Sequence, residues 1–179
     1  TDGGIAQYRR SSDDFAIPLD DRGHPILAYS ACLTEQGVIF GGRNRIYRYD
    51  YDSRSIKLLL DFSSDPYFAI SAISRWDEET LLCCSRWQGL RLINLRSGER
   101  RLPPFDCGKE IMSMIIDSKN RIWIAPYNNG LYCFDRNGKQ LASYTTRNSS
   151  LSNNVILSLA ERENKLWIGT DGGGINILE

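Results

Sequence analysis

The chain reads as an all-β protein made of β-propeller blades, each of four antiparallel strands, in about four repeats. Three observations predict this. Short β-rich runs end at Gly42, Ser85, Pro126 and Thr170, and Thr1 opens a near copy of the stretch that follows Thr170, so the pattern returns roughly every 41–44 residues. Glycine, asparagine and aspartate punctuate each return, as tight turns between strands require. No long run of period 3.6 breaks the series, so a helical repeat of similar length is excluded. A period in the low forties with several short strands per unit is the mark of a propeller blade.

Taken in order, each unit supplies its four strands. The apolar first strands are Ile26–Leu33, Phe68–Ser74, Ile111–Ile116 and Val155–Ala160. Polar hairpins follow at 34–37, 77–79 and 117–120. The buried second strands are those that end at the four aligned residues. Third strands fall at Ile46–Tyr49, Leu90–Ile93, Leu131–Phe134 and Ile175–Leu178, with apolar or aromatic residues at alternate places. A second hairpin leads to fourth strands such as Ile56–Leu60 and Gln140–Tyr144. A sheet covered on both faces by neighbouring blades explains strands that are apolar yet short. The units then occupy about 24–62, 66–104 and 109–146, with partial blades at 1–20 and 153–179.

The ends fall inside blades. Thr1 sits at a turn between second and third strands, and Glu179 closes a third strand with no fourth. Either the chain is a piece of a larger propeller, the expectation adopted here, or its first residues supply the missing strand of the last blade and close a ring.

Composition narrows the function. Lys plus Arg and Asp plus Glu both number 22, so the net charge is zero. That argues against a domain held to nucleic acid by phosphate neutralisation. No stretch approaches the roughly 20 apolar residues of a membrane-spanning helix. The five cysteines, Cys32, Cys83, Cys84, Cys107 and Cys133, show no Cys-x-x-Cys pair or metal spacing. Cys83 and Cys133 take the places of Ile168 and Ile177 in the repeat, so the expectation is buried free thiols and no metal or cofactor.

The wording of the repeat adds to its period. Leu151-Ser152-Asn153-Asn154-Val155, then Glu161, then Leu166-Trp167-Ile168-Gly169-Thr170-Asp171-Gly172-Gly173-Gly174-Ile175 closely resembles the two-component regulator propeller repeat. Ile122-Trp123-Ile124 with Asn129-Gly130-Leu131 is a weaker match, and Asp2-Gly3-Gly4-Ile5 a partial one. The units at Gly42 and Ser85 keep only the hydrophobic skeleton. The resemblance implies the periplasmic sensor region of a bacterial hybrid two-component system, many of which sense glycans. A parent anchored in the inner membrane would then carry further propeller and signalling domains, including a histidine kinase, outside these residues. The motif residues are architectural, with tryptophan filling the gap between blades and glycines making turns.

Catalytic constellations are sparse. The single histidine, His24, lies in a polar loop beside Asp20 and Asp21, with no serine elbow, second histidine or ligand spacing to accompany it. Gly172-Gly173-Gly174 opens into a strand, where a phosphate cradle would open into a helix. Binding has a clearer address. In a propeller, the loops between second and third strands and those between blades emerge at one end of the central channel. Where the repeat asks for small turn residues, this chain places Arg43-Asn44, Arg86-Trp87-Gln88 and Tyr127-Asn128-Asn129, and between blades it offers His24, Tyr67 and Lys109. Stacking aromatics beside guanidinium and amide groups suit a sugar or anionic glycan. The candidate ligand residues are therefore Arg43, Arg86, Trp87, Tyr127, Asn128 and His24, with an oligosaccharide as ligand. The leading reading is a non-catalytic sensor or interaction module, with other domains of the same parent chain or a second copy as partners. The alternative is a catalytic propeller, a lyase of the streptogramin-lyase type or a carbohydrate-active enzyme, which should gather histidines and acids on the channel face.

Overall fold

A computed structural model describes residues 4–20, 22–65, 67–85 and 88–179. Among these residues every regular element is a strand. An N-terminal hairpin, β1 (Gln7–Arg9) and β2 (Asp14–Ala16), precedes four sheets. The first blade is β3 (Ser30–Thr34), β4 (Gly37–Gly41), β5 (Arg45–Asp50) and β6 (Ile56–Asp61). The second is β7 (Ile70–Arg75), β8 (Thr80–Ser85), β9 (Gly89–Asn94) and β10 (Arg100–Arg101). The third is β11 (Ile111–Ile116), β12 (Ile122–Pro126), β13 (Leu131–Phe134) and β14 (Gln140–Tyr144). The fourth is β15 (Ile156–Arg162), β16 (Lys165–Thr170) and β17 (Gly174–Leu178). Each sheet is an antiparallel meander in chain order. This is the architecture of four β-propeller blades.

The inner strands β3, β7, β11 and β15 lie side by side in that order. Together they line a central cavity of about 530 Å³. In β7, β11 and β15 the register slips at the same place, between Ile70 and Ala72, Ile111 and Ser113, and Ile156 and Ser158. Each slip is a β-bulge, which leaves one residue unpaired and bends its strand.

Three apolar seams join the blades. Ile39 and Ile46 meet Ile70, Ile73, Leu81, Cys83 and Ile93 in the first. Leu82, Cys84, Leu90 and Leu92 meet Ile111, Met114, Ile122 and Ile124 in the second. In the third, Trp123, Ala125, Leu131 and Cys133 meet Ile156, Leu166 and Ile168. Strand alternation explains how Cys83 and Cys84 can be adjacent in sequence and yet serve different seams.

The structure departs from the sequence reading in four places. The first strand of the first blade begins at Ser30, not Ile26. Residues 26–28 instead run tight against Gly42, where a Cβ would collide with the Leu27 carbonyl. Ile26 is still fully buried, and its carbonyl accepts the Ile5 amide at 3.0 Å. The fourth strand of the second blade shrinks to two residues because Pro103-Pro104 follow and prolines cannot donate to a ladder. Residues 1–20, expected as a partial blade, hold instead a hairpin that pairs only with itself, while among the described residues β15–β17 lack a fourth strand, as expected. Ile5 and Ile26 pack with Tyr47 and Ile56 on the outer face of the first blade. Residues 1–3, which carry the near copy of the Thr170 turn, lie outside the described residues. Finally, Trp123 fills a seam at 2% exposure, but Trp167, its counterpart one blade on, is 39% exposed beside Ile175 and Ile177. No described blade packs on that face.

The channel-end loops as a candidate binding site

The turns between β4 and β5, β8 and β9, and β12 and β13 share one end of the blades with the connections between blades. Arg43 is exposed in the first of these turns and bridges to Ala69 of the following connection. Next to it Asn44 takes a left-handed φ of 62°, which asparagine tolerates better than most residues. Its amide donates to the Phe68 carbonyl at 3.1 Å and its carbonyl accepts from the Phe62 amide at 2.6 Å. The Asn44 Oδ1 is buried without a hydrogen-bond partner, a polar atom with unused capacity.

Asp65 organises the connection between the first two blades. It accepts from Arg100 Nη1 at 2.8 Å and from Gln88 Nε2 at 3.2 Å. The Arg100 guanidinium lies over Phe62 and Phe68, 5.2 and 5.0 Å from their ring centres. Arg100 is the main cause that holds the Asp65 carboxyl below the usual carboxylate range, with Gln88 and the Tyr67 amide adding to it against the opposing pull of burial. Gln88 is thus a structural tie, while Tyr67 beside it is 72% exposed.

Tyr127 is 55% exposed in the β12–β13 turn, its amide anchored on the Glu110 carbonyl at 2.7 Å. Asn128 follows with φ of 52°. His24 stands in a turn built on Asp20, whose Oδ1 accepts the amides of Arg22 and His24, each at 2.9 Å. The His24 amide is the main cause that lowers the Asp20 pKa. The imidazole, 65% exposed, lies 3.7 Å from the same carboxylate. Arg86 and Trp87 lie outside the described residues.

A cavity of about 660 Å³ opens at this end where β10 is short. Gln88 and Lys109 line it together with Arg91, Phe105 and Cys107. Gln88 and Lys109 belong to the loops singled out from the sequence, but none of the described candidate ligand residues lines this cavity. Arg43, Tyr127, Asn128 and His24 instead stand on separate exposed turns. Arg91, Phe105 and Cys107 escaped the sequence reading because the shortening of β10 creates the opening, and Pro103-Pro104 was its only signal.

All five cysteines are free, with Cys83, Cys84 and Cys133 buried and Cys32 and Cys107 half-buried. Burial pushes the Cys84 thiol up to about 11 and the Cys107 thiol up to about 12. Such thiols carry almost no thiolate near neutrality.

The model of the two-component regulator propeller family matches residues 150–172, the stretch whose wording carries the resemblance. No curated protein matches the chain. Among solved structures, the fold is similar to the extracellular domain of a proposed hybrid two-component system from B. thetaiotaomicron, at 20% identity and TM-score 0.67, over 99% of this chain and 24% of that one. The extracellular domain of a proposed one-component system from the same organism aligns at 19% identity and TM-score 0.68, over 98% of this chain and 24% of that one. The WD40 β-propeller domain of Doa1 aligns at 14% identity and TM-score 0.65, over 86% of this chain and 51% of that one. The chain spans about a quarter of the length of the two bacterial domains it matches.

Proposed function

We propose that the chain, whose last repeat fits the two-component regulator propeller model, is a non-catalytic sensing module of a hybrid two-component system. It lies outside the cytoplasm, in the periplasm, and detects a glycan or glycan breakdown product. The signal passes to a histidine kinase carried elsewhere in the parent protein. The match at residues 150–172 carries this reading, and the likeness of the fold to bacterial extracellular sensor domains supports it.

The ligand face in this proposal is the channel end. Tyr127 and Tyr67 offer exposed rings for stacking on sugar faces, and Arg43 offers a guanidinium for hydroxyl or acidic groups. Asn128 and His24 add hydrogen-bonding groups, and Arg86-Trp87 complete the set. The test is calorimetric titration of this chain with a panel of neutral and acidic oligosaccharides, alongside Arg43→Ala, Tyr127→Ala and Trp87→Ala. Binding of one glycan, weakened at least tenfold by two of the three substitutions, supports the reading. Silence across the panel overturns it, and so does conversion of a bound sugar to product, which would identify a catalytic propeller.

A further inference from the structure

The three seams differ at the end opposite the channel-end loops, where the hairpins between first and second strands lie. In the third seam Trp123 fills the gap, and Glu161 reaches back to Ser118, accepting its amide at 2.7 Å and its hydroxyl at 2.6 Å. In the second seam Arg136 closes the gap. Its guanidinium sits 4.3 Å from the Trp76 ring centre, with Nη1 donating to the Trp76 carbonyl at 2.6 Å and Nη2 to Asn120 at 3.1 Å.

The first seam has neither plug. Strand register places Ile39 where the third blade has Trp123, and Arg48 where it has Cys133, since Ile39 pairs with Arg48 as Trp123 pairs with Cys133. The second blade has Leu82 opposite Leu92 at the same places. A smaller residue has thus replaced the gap-filling ring, and a cation has replaced an apolar residue. What remains between the blades is a cavity of about 430 Å³. Arg48 and Arg75 lie in its wall with Glu35, Glu78 and Gln36, and the Arg96–Glu79 ion pair, at 2.5 Å, lies at its edge.

Arg48 is half-buried in this wall. Its Nε is buried without a hydrogen-bond partner, and no ion pair among the described residues includes it. Asp50 feels its charge, but the Asp50 Oδ1 is taken by the amide and hydroxyl of Ser53, both at 2.9 Å. Arg136 Nε is also bare, yet both its terminal nitrogens are bonded. Arg75 gives only its Nε, to the Asp77 carbonyl at 3.3 Å. Two half-buried guanidinium groups with unused donors therefore line one cavity, and the buried Nε of Arg48 is a donor that is costly to leave unpaired.

We infer that the cavity between the first and second blades binds a small hydroxylated monocarboxylate, a sugar acid in chemical class, with its carboxylate on Arg48 and Arg75. A guanidinium fork matches a carboxylate in two parallel hydrogen bonds. Glu35, Glu78 and Gln36 then accept from, or donate to, the hydroxyl groups. The same two glutamates repel a dianion such as a phosphate ester, so one negative charge is the preferred number. The volume lies in the range of small-molecule sites. This site is separate from the channel-end loops and does not depend on them.

The experiment is calorimetric titration with D-glucuronate, glucose and glucose 6-phosphate on the native chain and four variants. Glucuronate binds, and the other two bind at least tenfold more weakly. Arg48→Leu, which restores the apolar residue of the other seams, loses at least tenfold in affinity while melting no lower than the native chain. Arg48→Gln gives the same loss with a polar side chain retained. Ile39→Trp fills the cavity and abolishes binding. Lys57→Gln, which removes a positive charge one strand away from Arg48, leaves affinity unchanged. No heat with glucuronate overturns the inference, as does equal binding of glucose or binding that survives Ile39→Trp. The oligosaccharide panel reads the channel end and Ile39→Trp reads this cavity, so either proposal can fail while the other stands.

Discussion

Asp117 is the residue through which the third seam is most sharply tested. It is 5% exposed in the β11–β12 hairpin. Its Oδ1 accepts the amides of Lys119 and Arg121 at 3.0 and 2.8 Å, and its Oδ2 accepts Arg121 Nε at 2.7 Å and Trp123 Nε1 at 2.8 Å. Burial pulls its pKa upward, but the bonds from Trp123 and Arg121 outweigh burial and the net shift is downward. In Asp117→Asn the amide oxygen can keep the two backbone bonds, but an NH₂ group then faces two donors. The buried indole N–H left without an acceptor costs about 1–3 kcal/mol. Arg121 is 36% exposed, so solvent screening reduces its share to about 0.5–1 kcal/mol. The expected loss is about 1.5–4 kcal/mol, or about 0.75–2 M in urea midpoint for a slope near 2 kcal/mol/M. Urea unfolding followed by tryptophan fluorescence measures it. Because the folded pKa is depressed, the contribution is fully present above the ordinary carboxylate value and is lost as pH falls through the folded one. The gap between native and variant should therefore close in acid. A loss under about 1 kcal/mol at neutral pH, or a gap that does not depend on acid, refutes the assignment.

Other outcomes follow from the same packing. Trp123→Ala should cost about 3–5 kcal/mol and Trp167→Ala about 1 kcal/mol, since only the first leaves a cavity in a closed seam; equal losses in denaturant unfolding would contradict this. Gly130, at φ of 74°, would drive a Cβ into the Tyr144 carbonyl, so Gly130→Ala should lower stability by about 2–4 kcal/mol. Cys32, pushed up to about 11 by burial, should react with iodoacetamide on the order of a hundredfold slower than free cysteine at neutral pH, with the rate climbing as pH rises. Cys83 should stay unlabelled until the chain unfolds, and mass spectrometry of native and urea-treated samples separates the two thiols.

Much of the architecture was legible because the repeat writes its punctuation in residues with steric consequences. Pro126, Ser85 and Thr170 each close the second strand of a blade, as the spacing predicts, and β4 ends at Gly41, one residue before Gly42. Bulges were not legible. Whether Ile70 or Ser71 faces a seam depends on a register slip, and alternation in sequence cannot report one. Nor does alternation tell a buried partner from an open face. Trp167 carries the fuller motif and Trp123 the weaker one, yet Trp123 is the buried ring because a neighbouring blade lies against it. For binding, the turns at Arg43 and Tyr127 could be read as departures from a pattern. The cavity beside Arg48 could not, because it arises from the absence of a large side chain at Ile39, and a gap leaves no letter in the sequence.

The bulges in β7, β11 and β15 also bear on how such a channel can diversify. Each puts one extra residue into the lining of the central cavity, namely Ser71, Met112 or Leu157. None of these three belongs to a seam cluster. A hydroxyl, a thioether and an isobutyl group already occupy equivalent stations within one chain. Mutational drift at these stations can therefore rewrite the chemistry of the channel wall one blade at a time, without a compensating change in any neighbouring blade.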